Sequence, residues 1–489
     1  MENLKHDLSM FAKADGRVLI GKNPSSWSSY YHYDPPPKVY TLDEVRKIID
    51  SGDLIALQKL SRAFYDRDGF YKRLLLYYAT LLKYSGILIP NPSFGTKLST
   101  SPIKKLYSKA LKYVDKLNLP ELLTRLSLKA LIDGCYYGVI KTLDKEHFAI
   151  IDLPSGYCRS RFKDGYGNDL IEFNVSYFDT ILEAQYREEA LKSYPKVISS
   201  WYRKWVNGRV STAWVLVPSD IGICFPFFDD GRPLFLSVIP AAIQYDEAVD
   251  TERERELEEI RKIIVQKVPH LNDGQLVFEP DEALEMHAGT VNMLKGNANL
   301  SVLTTYADVD AIISKTAAEG ANNTLEKMVQ NIYSEAGASI NIFAPTGTQA
   351  LGTSINNDMA LMMILGNKFS RFITFIINTL FANQNIAFKY EILPISYYNQ
   401  DEFVTMSFKL AQSGYSYLLP SIASGISQSA ICGVKELEND VLELDELLIP
   451  LSSAYTQSAS SDNPVGRPKK SDEDKSPKTI QNENAIDNQ

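Results

Sequence analysis

The chain is 489 residues long, with 45% apolar residues, 23% charged residues and a net charge of −9; that length exceeds one ordinary compact core and predicts two or more packed units. The acidic balance excludes tight non-specific nucleic-acid binding, which draws its affinity from neutralising phosphates. Cys135, Cys158, Cys224 and Cys432 have no CxxC spacing, which excludes a disulfide framework or cysteine zinc site and predicts buried thiols in a reducing compartment.

The predicted elements run as follows. Residues 1–40 are polar, contain Pro35-Pro36-Pro37 and read as an extended arm. Thr41 with Glu44 three residues on is a capping-box spacing that opens the first helix. Further helices are expected at about 53–66, 69–85, 99–116 and 119–142. Strand composition follows at 147–153, 156–163 and 169–177, with Asp164-Gly165-Tyr166-Gly167-Asn168 as a hairpin turn. A helix is expected over 179–207, then short strands at 214–217 and 221–227.

The most informative stretch is 243–268. From Asp246 to Lys262 it holds eight acidic and four basic residues, opposite charges recur at helical spacing, and one charged helix about 39 Å long is predicted. A small mixed unit at about 270–316 follows, with a strand at 276–278, a helix at 281–295 and a strand at 300–306, then a returning helix at 317–336. The segment 337–353 is rich in Gly, Ala, Ser and Thr and carries no charge. A long apolar helix at 355–383, a strand at 386–393 and helices at 399–413, 416–424 and 435–447 complete the folded part. From Tyr455 the composition predicts disorder.

Several motifs invite chemical readings. Gly16-Arg17-Val18-Leu19-Ile20-Gly21-Lys22 fits a phosphate-binding loop through the lysine, but Asn23 stands where a Ser or Thr hydroxyl should hold magnesium, and Pro24 opposes the helix the loop needs. The five histidines form no metal-spaced pair; His287, near Glu282 and Glu285, reads as satisfied or exposed. No GxSxG elbow occurs, and the carboxylates of 246–259 read as a solvated or interfacial face. Val465-Gly466-Arg467-Pro468 resembles the minor-groove hook of chromatin proteins, yet Val465 replaces its first arginine and Asp472, Glu473 and Asp474 follow. No apolar signal core opens the chain, and Asp358, Lys368 and Arg371 interrupt the longest apolar stretch, so no membrane insertion is expected.

The order of parts is itself a pattern: a mixed helix-and-hairpin body, a charged helix, a small α/β insertion, a returning helix, an uncharged loop, a long apolar helix and a helical end. That order resembles the portal proteins of tailed bacteriophages. Local stretches agree: Phe64-Tyr65-Asp66-Arg67-Asp68-Gly69-Phe70-Tyr71-Lys72-Arg73-Leu74, Leu153-Pro154-Ser155-Gly156-Tyr157-Cys158-Arg159 followed by Tyr177-Phe178-Asp179, Ser354-Ile355-Asn356-Asn357-Asp358, and the tail at Gly466-Arg467-Pro468.

The resemblance implies a helix-rich α+β subunit of a ring, typically a dodecamer, at one capsid vertex. It divides the chain into an N-terminal arm (1–40), wing (41–242), first stem helix (243–268), clip (269–316), second stem helix (317–336), tunnel loop (337–353), wing helix and strand (354–395), crown (396–454) and tail (455–489). It implies no catalysis and no cofactor. The implied partners are further copies of the chain, the terminase large subunit, a head-tail adaptor, the major capsid protein, and duplex DNA passing through without tight binding. The implied location is the virion, after assembly in the host cytoplasm. Stem contacts between subunits are expected from Arg253, Arg255, Glu258, Glu259 and Arg261, and channel contacts from Thr346, Thr348 and Gln349. Two alternatives stay open on the residues alone: a non-ring adaptor or scaffold, and a nucleotide-dependent enzyme using 16–22.

Overall fold

The computed structural model describes residues 19–21, 40–91, 100–142, 148–181, 184–260, 262–267, 277–294, 300–305, 318–338, 349–380 and 387–443. The expected disordered tail lies outside the described residues. The fold is helix-rich α+β and divides into two compact units, residues 1–429 and 430–489.

The first unit opens with helices whose ends are written in their caps. Thr41 Oγ1 accepts from the Glu44 N–H at 3.4 Å while Glu44 accepts from the Thr41 N–H at 3.3 Å, which starts α1 (Leu42–Ser51). Asp53 caps α2 (Leu54–Arg67), and Asp68 caps α3 (Gly69–Leu81) by accepting from the Tyr71 N–H. The amphipathic α4 (Thr100–Lys116) and α5 (Leu119–Asp133) follow.

The expected helix over 119–142 ends early. Gly134 takes φ +77°, and a Cβ there would lie 2.2 Å from the Gly231 carbonyl oxygen, so glycine closes α5. The aromatic and β-branched run behind it then forms β3 (Cys135–Thr142). β3 pairs antiparallel with β4 (Phe148–Asp152) and β8 (Gly222–Pro226), and β1 (Leu19–Gly21) adds in parallel to β4. The arm read as extended therefore contributes a sheet strand.

A second sheet, β5 (Cys158–Lys163), β6 (Asp169–Asn174) and β7 (Trp214–Val217), turns at the expected glycine-rich hairpin. Asp164 Oδ1 accepts from the Tyr166 and Asn168 N–H groups at 2.9 and 2.8 Å. The single helix expected over 179–207 is instead a 3₁₀ turn at Val175–Thr180, α6 (Ala184–Ser193) and α7 (Lys196–Val206). Pro195 separates the two helices because it cannot donate into a continuing ladder. Phe173, Phe178, Tyr194 and Ile198 fill a separate small core beneath this sheet.

The main core gathers α2, α3, α5 and α11 (Gln349–Leu380). The segment Leu351–Leu380 has the length and composition to cross a bilayer; in the fold it buries Ile355, Met362, Leu365, Phe369, Ile373 and Ile377 against protein. Its one buried charge, Asp358, accepts from the Tyr77 and Tyr78 hydroxyls at 3.0 and 2.9 Å and ties α11 to α3.

β11 (Ala387–Ile392) pairs antiparallel with β2 (Gly86–Asn91), and its outer edge is closed by α11. Ser370, Thr374 and Asn378, one turn apart, bond the backbones of Ile392, Tyr390 and Phe388 in turn. Those residues face β2 at non-hydrogen-bonded positions, so Pro90 stands opposite Phe388, where its missing N–H costs nothing. Gln428 closes the β2 edge by bonding the Leu88 N–H and C=O. Both edges of a two-stranded ribbon are thus covered by side-chain hydrogen bonds. Helices α12 (Gln400–Gln412) and α13 (Leu418–Ala423) complete the first unit. The helix α14 (Gln428–Glu436) gives way to a π-helical turn at Leu437–Val441, where one helix over 435–447 was expected.

Candidate functional site

α8 (Val238–Ile260) begins in the main core, where Val238, Ile239 and Ala242 are buried. The returning α10 (Ala318–Glu335) packs along it. Ser237 donates to the Glu335 carbonyl at 3.1 Å, and Phe70 of α3 sits edge-on to Tyr245 of α8 at 5.1 Å and to Tyr333 of α10 at 6.2 Å. Tyr245 is the last aromatic residue on α8; past it the charged surface begins.

The charged helix was expected to run through Val268. It stops at Ile260, and Lys262–Lys267 forms β9, paired in parallel with β10 (Leu300–Thr305). The reason lies in Ile263-Ile264-Val265, a β-branched run with low helix propensity and good fit to a pleated surface. α9 (Pro280–Met293) packs on β10, and His287 shares a hydrogen bond with Thr304 at 2.9 Å, a satisfied histidine. The strand expected at 276–278 is absent among the described residues, Val277 and Phe278 forming a bend.

The face of α8 just past Tyr245 is acidic. Asp246, Glu247, Asp250 and Glu254 are exposed, and among the described residues none forms an ion pair. Partial burial first, then the charge of Asp250, push the Asp246 carboxyl up, with Arg67 opposing. Burial likewise raises Asp68, helped by Asp246 and opposed by its capping hydrogen bonds. Three carboxylates therefore crowd the root of this helix.

Of the residues expected between subunits, Arg253 is exposed, and Arg255 donates to Glu252 one turn back at 2.8 Å. Glu258 and Glu259 lie on α8, and Arg261 falls outside the described residues. Thr346 and Thr348 also fall outside them. Gln349, expected in a loop through 353, is the first residue of α11; helix continues through Gly352 because the neighbours Ala350, Leu351 and Ser354 all tolerate it.

Inside the glycine motif at 16–22, Leu19–Gly21 is strand. A phosphate-binding loop needs its strand before the first glycine and a loop at these positions, so the motif has the wrong backbone for that chemistry. Among the described residues no three His, Cys, Asp or Glu side chains gather as metal ligands.

Sequence reasoning missed three groupings. Cys135 and Cys224, 89 residues apart, meet across β3 and β8 with sulfurs 3.6 Å apart; Cys224 is half-buried and Cys432 exposed, against the expectation of four buried thiols. Asp152, nearly inaccessible, receives Lys129 and the Tyr136 hydroxyl, while Asp133 receives Arg62 at 2.7 Å and Ser155 at 3.0 Å. A cleft of about 560 Å³ opens between the second sheet and α11, with Phe372 and Phe375 in its wall and Lys368, Arg371 and Lys389 among its lining. Contacts between elements separated in sequence create these groupings, and no local spacing announces them.

No family model matches the chain, and no curated protein matches it. Among solved structures, it is similar to a chain in the virion of a native gene transfer agent particle, at 11% identity and a TM-score of 0.37, covering 82% of this chain and 98% of that one.

Proposed function

We propose that this chain is a structural subunit, without catalytic chemistry, that assembles with copies of itself into a portal ring at one capsid vertex of a tailed phage-like particle. The observation that carries the reading is the order and pairing of elements. The acidic helix α8 leaves the core, the small insertion of β9, α9 and β10 follows, and the chain returns as α10 packed on α8, before the long helix α11. That order supports the succession of stem, clip, stem and wing helix expected from the sequence.

In this reading the ring is a dodecamer, the insertion docks the terminase large subunit and then a head-tail adaptor, and the body meets the major capsid protein. Arg253, Arg255, Glu258, Glu259 and Arg261 contribute to subunit contacts, and Thr346, Thr348 and Gln349 meet DNA in the bore. Duplex DNA carries a charge about every 1.7 Å of axis. A basic bore would hold it by counterion release, whereas an acidic wall with neutral contacts lets it move. The test uses particles assembled with and without the chain carrying a small label. The reading predicts label at one vertex and no packaged DNA without the chain. Label on all vertices, or normal packaging in its absence, overturns it.

A further inference from the structure

A strongly basic surface in this acidic protein lies on α4. At 3.6 residues per turn, Lys105, Lys109, Lys112 and Lys116 fall within about 60° of arc and extend about 17 Å along the axis. All four are exposed. They stand opposite Ala110, Leu111 and Val114, which turn inward, so the helix is cleanly amphipathic with lysine as its outer face. Among the described residues, no ion pair engages Lys105, Lys112 or Lys116.

The acidic counterpart is the face of α8 carrying Asp246, Glu247, Asp250 and Glu254, which spans about 12 Å of axis and about 100° of arc. Arg253 lies at its rim, and the Glu252–Arg255 pair occupies the other flank. Two exposed helical stripes of opposite sign are thus present on one chain; among the described residues Lys105, Lys112 and Lys116 on the first and Glu247, Asp250 and Glu254 on the second form no ion pair, while Arg67 acts on Asp246.

We propose that the lysine face of α4 in one copy docks on the acidic face of α8 in the next copy. The proposal rests on the ring reading and names the contact that would drive it. Two different faces of one chain meeting head to tail make a heterologous interface, the kind that closes into a ring when its rotation divides a full turn. The carboxylate crowding of Asp68, Asp246 and Asp250 supports a cationic partner there, because like charges pressed together gain from an approaching lysine row. Duplex DNA is the other polyanion that lysines could meet. It would leave the acidic face unexplained, and the net charge of −9 opposes it.

The test is a charge swap in the full chain. One variant carries Lys105→Glu and Lys112→Glu, a second carries Asp250→Lys and Glu254→Lys, and a third carries all four. Assembly is followed by sedimentation at low and high salt, with circular dichroism to verify folding. Each two-site variant alone is expected to need at least tenfold more protein to assemble at low salt. The equimolar mixture of the two is expected to recover assembly, because every interface then finds opposite signs, and the four-site chain recovers it alone. Wild-type rings with two-site variants that assemble equally well overturn the pairing while leaving the ring reading intact. Failure of both the mixture and the four-site chain to recover also overturns it. Duplex binding by wild type that vanishes in the lysine variant, with assembly unchanged, assigns the face to DNA instead. A wild-type chain that stays monomeric refutes the ring reading itself.

Discussion

Asn378 offers the sharpest test of how α11 and β11 are joined. Its amide accepts from the Phe388 N–H and donates to the Phe388 carbonyl, both at 2.8 Å, and Phe388 is 1% exposed. Asn378→Ala removes both partners at once from backbone groups that water cannot reach. Each buried polar group stripped of its partner costs about 1–3 kcal/mol, so the variant should lose about 2–6 kcal/mol. Thr374→Val, which keeps shape but drops the bonds to Tyr390 at 2.9 and 3.3 Å, should lose about 2–6 kcal/mol by the same reasoning. Thr379→Val is the control: its hydroxyl bonds only the Phe375 carbonyl on the exposed side of the helix, and it should change stability by less than about 0.5 kcal/mol. Urea unfolding followed by tryptophan fluorescence gives the three differences at constant slope. An Asn378→Ala variant within about 0.5 kcal/mol of wild type would refute the claim that helix side chains close this strand edge.

Burial raises the Asp358 carboxyl above its ordinary range, with the Tyr77 and Tyr78 hydrogen bonds opposing. In the window above the ordinary carboxylate value the folded state then binds the proton more tightly than the unfolded state, so this group's contribution falls as pH rises. Asp358→Asn should flatten that part of the stability–pH profile, and an unchanged wild-type-minus-variant difference from pH 4 to 7 would contradict it. Gly134→Ala must hold φ +77° and place a Cβ 2.2 Å from a backbone oxygen; a loss above about 2 kcal/mol is expected from the unfolding midpoint. Replacing Thr346 and Gln349 by Lys should slow DNA passage in a packaging assay and steepen its salt dependence while rings still form, and unchanged passage would remove that segment from the bore.

Much of the fold was legible because its signals are local. The Thr41–Glu44 box, the Asp164–Asn168 turn and the helix over 99–116 each rest on nearby residues, and each appears where expected. Two of the failures share one cause. Cys135-Tyr136-Tyr137 and Ile263-Ile264-Val265 carry apolar runs that fit a helix or a strand, and the choice is made by partners more than a dozen residues away: β4 and β8 for the first, β10 for the second. Pro195 was a local signal that the helical pattern across 179–207 obscured. At the candidate site the charge of α8 was readable, but its exposed acidic arc and the opposing lysine arc become visible only once burial fixes which side of each helix faces outward.

The central claim is assembly. The most direct measurement is electron microscopy of the purified full chain, with mass determined on the same sample at micromolar concentration. The account predicts closed rings with a central hole and a mass near twelve times that of the 55.0 kDa chain. A monomer or dimer at every salt and protein concentration tested would contradict it.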